Sequence, residues 1–283
     1  MKFTPIKIKE NVNISKVSPI TEFFELIIKV LFLIIFIYIF LALLVDYIAP
    51  KISIETELKL KKIFYFEREK RTNVELKVQK ILDDLVKNSQ GLAPFKYTVY
   101  ILESKNINAL ALPGGNILVF TGLLKNIDSR NELAFVLAHE LGHYYHRDHL
   151  RALGRNLIFL LISSVLFRAD NPANRFITNA IVNTQMRFSQ SQERLADLYA
   201  LDLLYKTYGD VSSAIEFFNK MAKMEKLPKF FYVFSSHPYS KDRITAIKEA
   251  IKKRGYKEKR ISGDTEDIII EEIKKDLNEI YER

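Results

Sequence analysis

Residues 129–145 of the chain read SRNELAFVLAHELGHYY, and residues 139–143 within them have the pattern H-E-x-x-H. Ser129 followed by Glu132 is typical of a capping box, which predicts that a helix begins here. On a helix, His139 and His143 project from one face about one turn apart. Two imidazole nitrogens can then bind one Zn²⁺ at about 2.0–2.1 Å each. The stretch therefore predicts a helix that carries half of a metal site.

Glu140 stands beside the first histidine and carries the predicted chemistry. A carboxylate at this position reaches zinc-activated water rather than the metal, and it can take a proton from that water. The motif therefore predicts a hydrolase that uses one Zn²⁺ per chain, with Glu140 as the catalytic base. Without a third ligand, the same pattern also fits an amphipathic helix with histidines on its surface.

Three residues further along the chain are candidates for the third ligand. His146 lies seven residues after His139, roughly 10 Å along a rigid helix, which is too far to share one ion. His149 has the spacing of H-E-x-x-H-x-x-G-x-x-H sites, but those sites need a glycine where this chain has His146. Glu193 is the better candidate, because Asp197 follows it on the same face of a predicted apolar helix. We expect Glu193 to bind the metal and Asp197 to hold a ligand imidazole.

Composition narrows both the chemistry and the partners. The 283 residues include no cysteine, so any metal must be held by His, Asp or Glu. Lys and Arg exceed Asp and Glu by 43 − 34 = 9, but this excess is spread along the chain. We see no interleaving of arginine with aromatic residues of the kind that reads nucleic acid. We therefore expect no nucleic-acid partner, and a basic surface that is solvated or lies against anionic lipid.

An unbroken apolar run, VLFLIIFIYIFLALLV, extends from Val30 to Val45. With its flanks it reaches the length of about 20 residues that a bilayer crossing needs. A buried core helix would not be apolar on every face, and a cleaved signal peptide has a shorter core followed by a small-residue site. We therefore predict an uncleaved membrane anchor over residues 26–49. Lysines flank it on both sides in similar number, so the positive-inside rule favours neither orientation.

A second apolar run, Leu157–Phe167, is shorter. Its eleven residues are too few to span a bilayer. A single crossing would also place Glu193 across the membrane from His139. We expect this run to form a buried or interfacial helix beside the active site.

The remaining pattern predicts an α+β, mostly helical chain with a small antiparallel sheet. Thr72 with Glu75 predicts a second capped helix. Residues 95–102 (FKYTVYIL) are typical of a strand, and residues 108–120 of a hairpin around Pro113-Gly114-Gly115. From Ser129 onward the pattern is helical. Its breaks fall near residues 171–172, 226–228, 237–238 and 255. The predicted segments are a polar stretch 1–25, the anchor 26–49, a charged linker 50–71 and a zinc-binding domain 72–283.

Four motifs in this order resemble those of the zinc metallopeptidase family of HtpX, BepA, Oma-type proteases and the CAAX prenyl endopeptidase. The family is of the gluzincin type, in which H-E-x-x-H is joined by E-x-x-x-D. The resemblance covers roughly residues 70–255. Its elements are Asn108-Ala109 with Pro113-Gly114-Gly115 and Thr121–Leu124, then residues 139–143, then residues 193–197, then His237-Pro238 with Arg243.

The resemblance implies a role for each of these residues. His139, His143 and Glu193 would bind zinc, with Glu140 as the base. His237 would lie near the metal, where it either stabilises the oxyanion or closes the open coordination site as a fourth ligand. Arg243 would fix the loop of His237 by an ion pair. A peptide would be held by β-augmentation along four residues, Asn108, Ala109, Leu110 and Ala111.

The family also implies a fold, an activity and a place in the cell. We expect a zincin-type metallopeptidase domain in the cell inner membrane, facing the extracytoplasmic side and acting in quality control of membrane or envelope proteins. HtpX-like relatives have a pair of spans between the two zinc motifs, whereas this chain has one short apolar run, which argues against the prenyl-protein reaction. The alternative is a non-catalytic, membrane-tethered chaperone or adaptor with the same fold, although a pure binder would not need Glu140.

Overall fold

The computed structural model describes residues 18–62, 70–167, 188–224, 237, 241–258 and 264–281. Most of the predicted polar segment and the predicted breaks near residues 171–172 and 226–228 lie outside these residues, as does part of the predicted linker. The described part is mostly helical with a small sheet, so the predicted fold class is confirmed.

The described chain begins with a long helix, α1, Pro19–Ile48, whose side chains are largely exposed. A 3-10 turn over Ala49–Lys51 continues it. Among the described residues, Pro19–Lys51 is the helical segment that is long and apolar enough to cross a membrane. A short helix, α2, follows over Ile54–Lys61, and the Ser53 hydroxyl caps it by accepting from the Thr56 N–H.

From residue 73 onward, the described chain consists of helices around one three-stranded sheet. In chain order its elements are α3 Asn73–Asn88, β1 Thr98–Leu102, β2 Ala109–Leu112, β3 Asn116–Phe120, α4 Thr121–Asn126, α5 Arg130–Tyr145, α6 Asp148–Phe167, α7 Gln190–Tyr208, α8 Ser212–Met224, α9 Lys241–Arg254 and α10 Asp264–Tyr281.

The sheet has the order β1-β3-β2, which leaves β2 at an edge. The predicted hairpin is confirmed: β2 and β3 are antiparallel, and the turn between them needs glycine because Gly114 and Gly115 have φ angles of 77° and 88°. The prediction of a small antiparallel sheet is wrong for β1, which pairs with β3 in parallel. The three strands alternate in direction, so the first and third run the same way, and the order 1-3-2 makes them neighbours.

The capping boxes differ in detail from their predictions. At Thr72 both reciprocal bonds with Glu75 form, as predicted. At Ser129 the hydroxyl accepts from the Glu132 N–H, but the Glu132 carboxylate accepts from the N–H of Asp128 instead. The carboxylate also pairs with Lys220 of α8 at 2.6 Å, which draws it away from the cap. The predicted helix start is therefore confirmed, with half of its box replaced by a tertiary ion pair.

Helices α5 and α7 pack closely against each other, which brings residues 139–143 near residues 193–197. Gly142 permits it, because a Cβ added there would lie 2.9 Å from the Ala196 Cα and 3.0 Å from the Ala196 carbonyl oxygen. Glycine inside a helix costs about 1 kcal/mol relative to alanine. Here that cost is offset by the contact between two helices that carry chemistry, one with residues 139–143 and the other with residues 193–197.

Candidate metal centre

Four side chains from three parts of the chain bring donor atoms together in the interior. His139 and His143 come from α5, and Glu193 comes from the first turn of α7. His237 lies four residues before the start of α9. All four are buried, and their donor atoms lie within 4.8 Å of one another. The structure thus brings together the three predicted ligands and the predicted nearby histidine.

The spacing of the donors fits a tetrahedral metal site. His139 Nε2 lies 3.1 Å from His143 Nε2 and 3.2 Å from His237 Nδ1. Glu193 Oε1 lies 2.9 Å from His237 Nδ1 and 3.6 Å from His143 Nε2. Ligands bound tetrahedrally at about 2.0–2.1 Å are separated by about 3.3 Å, so these residues fit one Zn²⁺. The donor chemistry, imidazole nitrogen and carboxylate oxygen, fits as well.

A carboxylate stands behind each of the two α5 histidines. Asp197 Oδ1 lies 2.9 Å from His139 Nδ1, which agrees with its expected role. Asp148 Oδ2 lies 3.2 Å from His143 Nδ1, and the sequence analysis did not find this residue. Such carboxylates orient the imidazole and fix which nitrogen faces the metal. Each ring is therefore held so that its Nε2 points toward the other donors.

Asp148 reaches His143 because the chain turns sharply between α5 and α6. Arg147 has a φ angle of 58°, the left-handed conformation, and no glycine or proline marks this turn in the sequence. Gln192 Nε2 donates to Asp148 Oδ1 at 2.7 Å, and Arg151 pairs with the same oxygen at 2.8 Å. The only sequence signal for this contact is that Asp148 follows His143 by five residues. If α5 continued through Asp148, that spacing would place the two side chains on different faces of the helix.

Arg243 holds the two carboxylates of α7. It donates to Asp197 through Nε at 2.7 Å and Nη2 at 2.6 Å, and its Nη1 lies 2.7 Å from Glu193 Oε2. Burial opposes ionisation of both acids, but His237, Arg243 and His139 lower the pKa of Glu193, and Arg243 and His139 lower that of Asp197. Arg243 therefore keeps Glu193 ionised and oriented. Its predicted effect on the loop of His237 stays a prediction, because residues 238–240 lie outside the described part.

The centre is electronegative and favours a cation. Burial lowers the pKa of His139, but contacts with Asp197 and Glu193 outweigh this and raise the pKa to about 10. Burial lowers the pKa of His143, opposed by its contact with Asp148. Carboxylates that favour positive charge at His139 equally favour a divalent cation among the donors.

Glu140 faces the centre without joining its donor group. It is buried, and within the described part of the structure its Oε2 has no hydrogen-bond partner. His237 Nε2 lies 3.4 Å from Glu140 Oε1 while the Nδ1 of the same ring lies among the donors. Of the two roles expected for His237, this arrangement favours the fourth ligand.

A cavity adjoins the donor group, and the edge strand β2 borders this cavity. Asn108 and Ala109 line it together with His139, Glu140 and His237. The Tyr144 hydroxyl, one residue after the second histidine, donates to the carbonyls of Leu112 and Asn116. The hairpin is thereby fastened to the helix that carries His139 and His143, which sets the position of β2 relative to Glu140.

The two nearer histidines stay apart from the donor group. His146 is half-buried and is the C-cap residue that follows α5. His149 is buried, and its Nε2 lies 2.8 Å from Glu57 Oε1. Glu57 is itself buried on α2, accepts from the Gly114 N–H at 3.0 Å and pairs with Arg147 at 3.0 Å. His149 therefore ties the segment after α1 to the body of the domain.

A helix presenting H-E-x-x-H, with a glutamate from a second helix completing a buried donor set, defines a zincin-type metallopeptidase with a glutamate ligand. The chain belongs to peptidase family M48, whose family model matches residues 72–251. This confirms the family and the enzyme class that the ordered motifs predicted.

Curated relatives agree with this membership. The chain is 31% identical to the mitochondrial metalloendopeptidase OMA1 of Arabidopsis thaliana over 56% of its own length and 32% of that protein. It is 31% identical to the metalloprotease LoiP of Escherichia coli over 58% of its length and 66% of LoiP. For the putative beta-barrel assembly-enhancing protease of Vibrio cholerae the identity is 29%, over 54% of this chain and 34% of the relative. The matches therefore span 32% to 66% of the length of these proteins.

Proposed function

We propose that this protein is a membrane-anchored zinc endopeptidase that cleaves extended segments of membrane or envelope proteins, in protein quality control. The observation that carries the proposal is the position of Glu140. Its carboxylate lines the same cavity as His139 and His237 of the donor group and as Asn108 and Ala109 at the start of the edge strand β2. A peptide added to that edge would lie beside this cavity. Family membership and relatives named as metalloendopeptidases support the same reaction.

The side chains divide the reaction among themselves. His139, His143 and Glu193 would hold Zn²⁺, which when bound supplies Lewis acidity that lowers the pKa of water and polarises a carbonyl. Glu140 takes the proton from the attacking water and delivers it to the leaving amine. No covalent intermediate with the enzyme is needed. His237 has to move from its place among the donors before substrate can occupy that position.

Substrate binding is assigned to β2. Asn108, Ala109, Leu110 and Ala111 would pair with an extended peptide through backbone hydrogen bonds, which are independent of the peptide's sequence. The edge position of β2 supports this assignment. A protease that recognises backbone selects substrates by their unfolded state, which suits the removal of damaged or misassembled proteins.

Metal removal tests the hydrolytic activity. Purified full-length protein in detergent is expected to cleave casein, to lose cleavage after treatment with a chelator, and to regain it when Zn²⁺ is restored in equimolar amount. The reason is that the donor group lies in the interior and the carboxylates around it favour a cation. Metal content measured on the same samples should follow activity. Cleavage that continues in metal-free protein would exclude this mechanism.

The anchor is assigned to α1, as a single pass in the cell inner membrane with the catalytic domain on the extracytoplasmic side. The exposed apolar surface of α1 supports the membrane, and the resemblance supports the side. Intact spheroplasts treated with external protease are expected to lose the catalytic domain. A domain that is degraded only after lysis would place it in the cytoplasm.

A further inference from the structure

The apolar run Leu157–Phe167 has no part in the proposed reaction, yet the structure gives it a defined place. It is the second half of α6, whose first residue, Asp148, supports the metal ligand His143. The side chains of Leu157 and Leu161, one turn apart, are 45% and 65% exposed. For these two side chains the buried alternative is wrong, since both are exposed, whereas Ile158 between them is buried.

The first half of α6 packs beside the end of α1 and runs antiparallel to it. The Arg147 guanidinium donates to the Ile52 carbonyl at 2.7 Å, whereas the Arg155 guanidinium donates to Asp46 at 2.6 and 2.7 Å. Between them, Gly154 permits close approach, because a Cβ there would lie 2.6 Å from Val45 Cγ1. Later residues of α6 therefore contact earlier residues of α1, which is the register of two antiparallel helices.

Continuing this register places residues 157–167 beside about residues 34–44 of α1, since both helices rise 1.5 Å per residue. The exposure of α1 agrees, because its half-buried residues fall on one face. They are Ile34, Leu41, Ala42, Val45 and Asp46. Extending the register of the first half of α6 in this way aligns its apolar half with the apolar run that defines the anchor.

The two helices change from charged to apolar at the same level. Asp46 and Arg155 pair in a two-bond contact, and beyond them neither Val30–Val45 nor Leu157–Phe167 contains a charged residue. A bilayer boundary set by α1 at Asp46 would therefore cut α6 at Arg155. The 12 residues from Asn156 to Phe167 span about 18 Å, roughly half of a hydrocarbon core of about 30 Å.

We propose that the second half of α6 is immersed in the bilayer beside α1, entering it without crossing, so that Leu157 and Leu161 face lipid acyl chains. The proposal rests on the membrane location proposed for α1. The chain is back at the metal centre at Phe188, whose ring stacks on His143, so both zinc motifs stay on one side. Asp148 precedes Arg155 by seven residues, about 10 Å, so the centre opens close to the membrane surface.

The absence of native cysteine makes the test direct. Three single-cysteine variants of the full chain, Leu161→Cys, Phe36→Cys and Leu76→Cys, carry an environment-sensitive fluorophore and are reconstituted in vesicles of phosphatidylcholine and phosphatidylglycerol. Leu161, Phe36 on α1 and Leu76 on α3 are 65%, 60% and 52% exposed, so the three probes are matched in accessibility. Quenching by nitroxide lipids is compared with quenching by aqueous iodide.

The expected result is that nitroxide lipids quench the probes at residues 161 and 36, with blue-shifted emission and no iodide quenching, while residue 76 shows the reverse. Iodide quenching at residue 161 with lipid quenching at residue 36 would overturn the immersion of α6 and leave the anchor intact. Iodide quenching at both would remove the anchor as well. A probe at residue 161 that neither agent reaches would show protein cover, for example by a second copy, and would equally overturn the proposal.

Discussion

Replacing Glu140 with glutamine is expected to lower kcat for casein by about 10²–10⁴-fold, the usual contribution of a general base, while the protein keeps its metal. Glutamine has the same shape but cannot take a proton from water at neutral pH. The Glu140 carboxylate does not belong to the donor group, so metal content should not change. Casein cleavage and metal analysis on one preparation measure both.

Glu132→Gln is the matched control for this variant. Glu132 lies on the same helix and is also buried, but its partners are Lys220 and the Asp128 N–H, and it neither belongs to the donor group nor lines the cavity beside it. It should lower the melting temperature and leave kcat close to wild type. If Glu140→Gln cleaves casein as fast as wild type, Glu140 is not the base. A metal-loaded wild-type protein that cleaves nothing, yet prevents aggregation as well as Glu140→Gln does, would favour the non-catalytic alternative.

The residues that sequence reasoning placed correctly are those whose relation is local. His139 and His143 face one way because four residues make about one helical turn, and Glu193 and Asp197 follow the same rule. The hairpin of β2 and β3 is local too, since two adjacent glycines with positive φ angles mark its turn. To predict that these two residue pairs form one site, an ordered set of motifs was needed. The spacing within one helix does not show which other helix packs beside it.

What the sequence did not show depends on turns and contacts between distant segments. Asp148 reaches His143 through the left-handed conformation of Arg147, which a residue with a side chain rarely adopts. Glu57 bonds His149, 92 residues later, and no periodicity predicts that pairing. The parallel pairing of β1 with β3 follows from strand order, which the strands' own sequences do not contain.

A buried charge on α2 explains how the segment after α1 is held against the metallopeptidase domain. A buried carboxylate such as Glu57 is stable only when paired. Burial raises its pKa, but His149, the Gly114 N–H and Arg147 outweigh that effect and lower the pKa below its usual value. Its partners lie at the hairpin turn and at the junction of α5 with α6. The segment after α1 is thus fixed to the two features that border the metal centre.

Replacing Glu193 with alanine is expected to remove the metal and, with it, all measurable cleavage. Glu193 supplies the carboxylate donor from α7, so metal affinity should fall by more than the 10–100-fold typical of residues that only support a ligand. Arg243 keeps its two bonds to Asp197, so the helices should stay packed. Glu193→Gln, which preserves the shape of the side chain, gives a second measurement if the alanine variant is poorly expressed.

His149→Ala is the control for this prediction, because it removes the contact with Glu57 and should lower the melting temperature while leaving one metal per chain. Metal analysis separates the two outcomes: metal lost in His149→Ala and retained in Glu193→Ala would replace this ligand set with a three-histidine site.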